Sequence, residues 1–526
     1  MAAMRKKAKH RRRRLVFNSD GNDVNVAGIK TAEDFLAVRY NHLLDTNVDS
    51  VFYCTGATTM FTHLAQVGET YGEFITDDMS EWNINGRNSI EALKAAGHDV
   101  LHLSCDFCHK HGIEIMFSHR INDIHDCIGS WSESELSRWK REHPEYLMGQ
   151  KGDYQKYSED SPKAWWTALD FEQPEVLDYL FRIEEDVCQR YDIDGFEIDY
   201  FRSPLLFRPN LDFQPATPAQ CEMLTAFQRR LRDMAYRVGN ERGRPMLVAV
   251  RTPMTQAKCL HVGIDLEQWL REDLIDVLAV GGGYLPFTQP NAESVTLGHR
   301  YGVPVYPSVN ASGMRSGDWS KINYDTPACW RAVASNMWND GADGVYLFNI
   351  FPEREKATAL GNAAWGPTAD VDPRFTEIGD RKKLATLDKM FVIDRWSIGE
   401  GDLAQGIVQD HALPRMMDDD GTLMLTELPV GDNLASASAE GVLKDLTMVV
   451  GLNNFTEGDR VELLLNNKPS AKIGQVNEEG ITTFVPIATH FRTGGNKLAF
   501  RTTNRGPTAA HPISVNRVEL HVKYTS

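Results

Sequence analysis

The chain has 526 residues, a formal net charge of −17, 42% hydrophobic and 25% charged residues, proportions close to those of globular domains. That length exceeds one ordinary domain and fits a large domain followed by a smaller one. No run approaches the ~18 apolar residues that cross a bilayer, which excludes a membrane span, and the acidic body speaks against a nucleic-acid partner.

The acidic balance hides an asymmetry, because residues 5–14 hold eight Lys and Arg. A short like-charged terminus predicts a disordered basic tail over 1–14. Leu15 opens an apolar run directly, without the apolar segment of an export leader. The expected location is therefore secreted or periplasmic if a leader has been removed, and cytoplasmic otherwise.

From Leu15 to about Asp394 short β-rich runs alternate with longer helical stretches, the pattern of repeated βα units over a parallel sheet. Strands are predicted at Leu15–Ser19, Ser50–Cys54, Ile113–Ser118, Gly195–Tyr200, Met246–Arg251, Val277–Val280, Val303–Ser308 and Gly344–Asn349. Helices are predicted between them at Ser89–Gly112, Glu175–Arg190, Pro218–Val238, Asp265–Asp273 and Pro327–Asp340. Eight such steps make an α/β fold of the (β/α)8 TIM barrel type over 15–394, with function on the loops that follow the strands. Beyond that point, runs such as Leu446–Leu452, Arg460–Leu465, Lys497–Thr502 and Val515–Val522 alternate with Gly, Asn and Asp. They predict a small all-β sandwich of jelly-roll type over 395–526 that buttresses the barrel.

Eight cysteines stand at irregular spacing inside apolar segments, so no disulfide framework is expected. His102, Cys105, Cys108, His109 and His111 look like half of a zinc site without its partner half; buried thiols on a helix are the expectation, with no metal and no cofactor. The long loop after the third strand carries Trp131, Trp139, Tyr146, Tyr154, Tyr157, Trp165 and Trp166. Such rings either stack on sugars or pack the loop onto its scaffold.

The most informative run is Asp194-Gly-Phe-Glu-Ile-Asp-Tyr-Phe-Arg202. Strand side chains alternate faces, so Phe196, Ile198 and Tyr200 share the helix-facing side while Glu197 and Asp199 point into the barrel. Inward carboxylates cost several kcal/mol unless they are paired or solvated. Cleavage of glycosidic bonds needs two carboxyl groups, one protonated and one ionised, and Asp199, Glu197 and Asp123 are the catalytic candidates. A purely structural pairing with Arg251 or Arg202 is the competing reading.

This run, with Ser118-His-Arg-Ile-Asn-Asp123 after the third strand and Asp170-Phe171 before the helix opened by Pro174, resembles the glycosyl hydrolase-like family 10 group over roughly residues 15–390. The resemblance implies a barrel acting on carbohydrate. A chitinase-like pattern is also similar, but Phe201 stands where its acid glutamate belongs. The retaining clan with glutamates after strands four and seven fits poorly, because Val303–Asn310 offers no carboxylate.

Substrate-binding candidates around the same mouth are His119, Arg120, Asn122, Asp170, Arg202, Arg251, Trp269, Tyr284, Tyr306 and Asn349. The guanidinium groups would suit uronic or sulfated glycans if they face substrate. Gly281-Gly282-Gly283 lets the backbone approach a ligand rather than cradling a nucleotide. The expected function is hydrolysis of glycosidic bonds in a polysaccharide or oligosaccharide, anionic glycans included; the alternative is a catalytically silent glycan-binding barrel. The sequence sets no oligomeric state.

Overall fold

The computed structural model of the protein describes residues 1–127, 136–282, 287–314, 323–350, 373–395, 400 and 412–525. Eight parallel strands close on themselves: β1 (Leu15–Ser19), β2 (Val48–Tyr53), β3 (Glu114–Arg120), β4 (Gly195–Asp199), β5 (Leu247–Thr252), β6 (Val277–Val280), β7 (Val305–Val309) and β8 (Val345–Phe348). Each pairs with the next in sequence, and β8 pairs back with β1. Apolar residues on the outer strand faces, such as Phe17, Val51, Phe117, Ile198 and Val250, join the core beneath the helices. Val16, Phe52, Met116, Leu247, Ala249 and Tyr346 fill the interior from the other face.

The segment Ser89–Gly112, expected as one helix, is two: Glu81–Ala95 and Val100–Lys110. Gly97 takes φ 80° between them, and Asp99 caps the second helix by accepting from the amides of Leu101 and His102. Cys105 and Cys108 are buried on that second helix, and all eight cysteines are free thiols.

The basic N-terminus is not a disordered tail. Ala2–Lys9 is a helix laid across the barrel floor. Arg5 Nε donates to Asp276 Oδ1 at 2.7 Å, and Arg5 Nη1 donates to the Tyr236 hydroxyl at 2.6 Å. Arg13 forks onto Glu114, Nε to Oε2 at 2.6 Å and Nη2 to Oε1 at 2.8 Å, and the Ser50 hydroxyl donates to the same carboxylate at 2.6 Å. The expectation of disorder failed because like charges repel only until each finds a counter-charge; Asp276 and Glu114 stand at strand entrances that sequence spacing does not bring near residues 5–14.

Two antiparallel sheets follow, built from β9 (Lys389–Val392), β10 (Met424–Val430), β11 (Leu443–Asn453), β12 (Arg460–Leu465), β13 (Lys468–Ile473), β14 (Ile481–Phe484), β15 (Gly494–Asn504) and β16 (Ser514–Tyr524). Their orders are β9-β16-β11-β14 and β10-β15-β12-β13. The sandwich thus begins at β9, ahead of the boundary expected at 395. Period-two alternation explains how β9 serves two cores: Phe391 and Ile393 enter the sandwich, and Met390 and Val392 join the barrel cluster.

The Arg13–Glu114 pair is almost wholly buried on both sides, so removing one partner strands a charge at a cost of about 3–5 kcal/mol. Arg13→Met is expected to lower the urea midpoint strongly, and the double variant Arg13→Met/Glu114→Met to recover most of that loss. Equal losses in the single and double variants would contradict this account of the floor.

Candidate functional site

Alternation along β4 sends Phe196 and Ile198 to the helices and Glu197 and Asp199 into the barrel. The register sets Ser118 beside Glu197, Arg120 beside Asp199 on one flank and Arg251 beside Asp199 on the other. Arg251 binds Asp199 with both prongs of its fork, Nε to Oδ1 at 3.0 Å and Nη2 to Oδ2 at 2.6 Å. Asp199 Oδ1 also accepts the backbone amides of Phe201 and Arg202, each at 2.9 Å. Four donors therefore compensate this buried charge.

Glu197, one layer deeper, has only hydroxyl donors. Its Oε2 accepts from Ser118 Oγ at 2.6 Å and from the Tyr346 hydroxyl at 2.9 Å, and its Oε1 has no hydrogen-bond partner. Burial first, and then the negative charge of Asp199, raise its pKa to about 7 against the modest pull of Ser118, Arg251 and Tyr346. Two carboxyl groups on one strand face thus sit in unlike surroundings, the arrangement that separates a proton-holding acid from a fixed charge.

At the rim, Arg120 pairs with Asp20 and donates to Asn349 Oδ1 at 3.1 Å. Asp123 hydrogen-bonds the imidazole of His125 and lies 3.9 Å from Arg120 and 3.8 Å from Arg202. Burial alone would raise the Asp123 pKa, but His125, Arg202 and Arg120 together hold it below the ordinary carboxylate range. Asp123 Oδ2 accepts no hydrogen bond. Arg202 reaches His125 Nε2 at 2.8 Å. Of the sequence candidates, the structure therefore gathers Asp123, Glu197, Asp199, Arg120, Arg202, Arg251 and Asn349 at one mouth.

Five others lie elsewhere. His119 points out of the barrel and hydrogen-bonds Glu184 and the Thr58 carbonyl; β3 runs two residues past its expected end, so alternation continues and turns His119 outward. Asn122 spends its amide on backbone, donating to Leu205 O at 2.5 Å and Leu169 O at 3.3 Å and accepting from Leu169 N. Asp170 accepts from Arg208 Nε at 2.7 Å and from Glu172 N, a tie between loops. Trp269 is buried on the helix Leu266–Arg271, donating to Thr225 Oγ1 and packed 5.4 Å from Tyr200. Tyr306 is the second residue of β7 and meets Arg13 at the floor. Tyr284, Gly283 and Trp131 lie outside the described residues.

Three rings of the aromatic loop pack it onto its scaffold. Trp139 stacks on Tyr179 at 4.4 Å, and the indole N–H groups of Trp165 and Trp166 donate to the carbonyls of Glu159 and Cys127.

Sequence reasoning missed Ser118, Tyr346, Asp20, Cys54 and Ser308. Ser118 needed the β3–β4 register, and Tyr346 the closure that brings β8 across from β4. Cys54 is buried directly after β2, its pKa raised first by burial and then by Asp199, Asp123 and Glu197. Gly282 has φ 84°, and a Cβ there would lie 2.1 Å from Ser308 Oγ and 3.2 Å from Arg251 Nη1. The close approach that this glycine permits is made to Ser308 and, less tightly, to Arg251. Among the described residues, no three His, Cys, Asp or Glu side chains converge as a metal site.

Residues 54–210 match the model of the glycosyl hydrolase-like 10 family. The matched segment runs from Cys54 through β4 to the loop beyond it, and contains Arg120, Asp123, Glu197, Asp199 and Arg202; Asp20, Arg251 and Asn349 lie outside it. No curated protein matches the chain. Similar solved structures include a family 18 N-acetylglucosaminidase from Paenibacillus barengoltzii, at 11% identity over 67% of this chain and 98% of that one, with a TM-score of 0.35. The glycoside hydrolase domain of PgaB (BpsB) from Bordetella bronchiseptica is 12% identical over 68% of this chain and 100% of that one, at 0.36. Chitinase ChiW from Paenibacillus sp. str. FPU-7 is 10% identical over 96% of this chain and 54% of that one, at 0.39. Likenesses at this level say nothing about substrate.

The raised Glu197 pKa has a measurable sign. The folded state holds this proton more tightly than the unfolded chain, so the stabilisation is complete below about 4.5 and is lost as pH rises through about 7. Glu197→Gln cannot ionise, and its stability relative to the wild type is expected to rise by about 2–3 kcal/mol between pH 5 and pH 8 in urea unfolding. A difference that does not change with pH would contradict the assignment.

Proposed function

We propose that the protein hydrolyses glycosidic bonds at the barrel mouth. The observation that carries this reading is the unlike environment of Glu197 and Asp199, side by side on β4: one carboxyl raised to about 7, the other held by a guanidinium fork and two amides. Glu197 supplies the proton that a departing sugar oxygen requires. Asp199 and Asp123 supply fixed negative charge for an oxocarbenium-like transition state, and Asp123 Oδ2 is the oxygen not already committed to a hydrogen bond.

A neutral glycan fits this mouth better than a uronic or sulfated one. Arg251 is bound by Asp199, Arg120 by Asp20 and Asn349, and Arg202 lies against Asp123 and His125. Guanidinium groups already matched by internal acids offer little net charge to an anionic substrate. Secretion or a periplasmic location accords with a polysaccharide substrate.

Release of reducing ends from neutral, uronic and sulfated polysaccharides tests the reading. The wild type is expected to cut a neutral member, and Glu197→Gln and Asp199→Asn to lower turnover by about 10²–10⁴-fold. Binding without release would favour a silent glycan-binding barrel. Arg251→Lys keeps the charge but loses the fork, so turnover should fall alike on charged and neutral substrates; a loss confined to charged ones would return Arg251 to the role of anion binder.

A further inference from the structure

His119 stands outside the mouth, yet its hydrogen bonds lead back into it. The ring is wholly buried between β3 and the helix Pro174–Arg190, with Nδ1 2.5 Å from Glu184 Oε1 and Nε2 2.7 Å from the Thr58 carbonyl oxygen. A carbonyl only accepts, so Nε2 carries the proton, and Glu184 fixes the ring from the other side. Thr58 is a β-branched residue in the left-handed region at φ 53°, a conformation that costs of order 1–3 kcal/mol and persists only where its surroundings enforce it. Three hydrogen bonds enforce it here. Besides the His119 contact, Thr58 N donates to Arg120 O at 2.9 Å and Thr58 Oγ1 donates to Asp123 O at 3.2 Å. Thr58 is thereby stapled to the backbone of the two residues that deliver a guanidinium and a carboxylate to the mouth.

We infer that His119 is a positioning residue: held by Glu184, it locks Thr58 in its strained conformation and so fixes the backbone that presents Arg120 and Asp123. This inference rests on the hydrolase reading for its catalytic consequence and on geometry alone for the staple. His119→Leu removes the donor while keeping apolar volume against Phe61 and Phe117. Glu184→Gln keeps the ring fixed, because a carboxamide N–H can donate to Nδ1 and leave the Nε2 proton on Thr58 O.

The test reads amide hydrogen exchange at Thr58 and steady-state kinetics on the glycan that the wild type cuts. In His119→Leu the Thr58 amide is expected to exchange at least about tenfold faster while amides of β5 and β6 keep their protection. With it, kcat falls at least about tenfold and KM stays within about twofold. Glu184→Gln should stay near the wild type in both readouts. Should His119→Leu fail to fold, Glu184→Leu, which removes the group that holds the imidazole against Thr58, is expected to give the same pattern. Unchanged exchange at Thr58, or exchange raised equally across the barrel, would overturn the inference. If the wild type cuts no glycan, the hydrolase reading falls while the exchange measurement still decides whether His119 holds Thr58.

Discussion

The mouth is organised by the burial of two carboxyl groups on one strand face. Two inward acids on β4 cannot both be ionised without compensation, since an uncompensated buried charge costs more than the fold's margin of stability. Arg251 answers one of them. Its guanidinium binds Asp199 through both prongs, stands 4.0 Å over the ring of Phe348 and donates to the Gly281 carbonyl. Gly282 packs against the same corner at φ 84°, where a Cβ would collide with Ser308 Oγ at 2.1 Å and crowd the guanidinium at 3.2 Å. One ion pair therefore constrains the registers of β4 and β5, the ring at the end of β8 and the glycine turn after β6. Glu197 is left with hydroxyl donors and the field of its neighbour, and its raised pKa is the direct consequence.

The barrel interior carries charge at both ends and apolar side chains between them. Arg13 and Glu114 pair at the floor, where the N-terminal helix covers the strand entrances; Val16, Phe52, Met116, Leu247, Val277 and Ala279 belong to the apolar layer. This separation suits a barrel whose lower end serves stability and whose upper end serves chemistry. The floor pair is closed by matching partners. The mouth is not: Glu197 Oε1, Asp123 Oδ2 and Ser308 Oγ are buried without hydrogen-bond partners, the expected mark of a site arranged for something other than packing.

Much of this was legible in the sequence. Alternation with period two placed Glu197 and Asp199 inward and Phe196 and Ile198 outward, and the spacing of apolar runs found all eight strands. What failed did so for local reasons. The expected β3 ends two residues early, which places His119 at the mouth, and the expected β7 begins two residues early, which moves Tyr306 up from the floor. Trp269 was read from a helix that turns its indole into the core. Asn122 and Asp170 are polar groups whose bonding capacity is consumed by neighbouring loops, which no spacing rule shows. The floor helix was invisible because its counter-charges, Asp276 and Glu114, are distant in sequence. The choice between Arg251 as anion binder and as partner of Asp199 needed the β4–β5 register, which sets the two side by side.

The central claim is that Glu197 keeps a proton near neutrality beside an Asp199 bound by the Arg251 fork. Difference infrared spectroscopy, wild type minus Glu197→Gln, isolates the carboxyl band of this residue from every other acid in the chain. The account predicts a protonated-carboxyl band that persists well above the ordinary glutamate range and disappears as pH is raised through about 7. A difference spectrum showing Glu197 already ionised at about pH 5, near the usual carboxylate range, would contradict it.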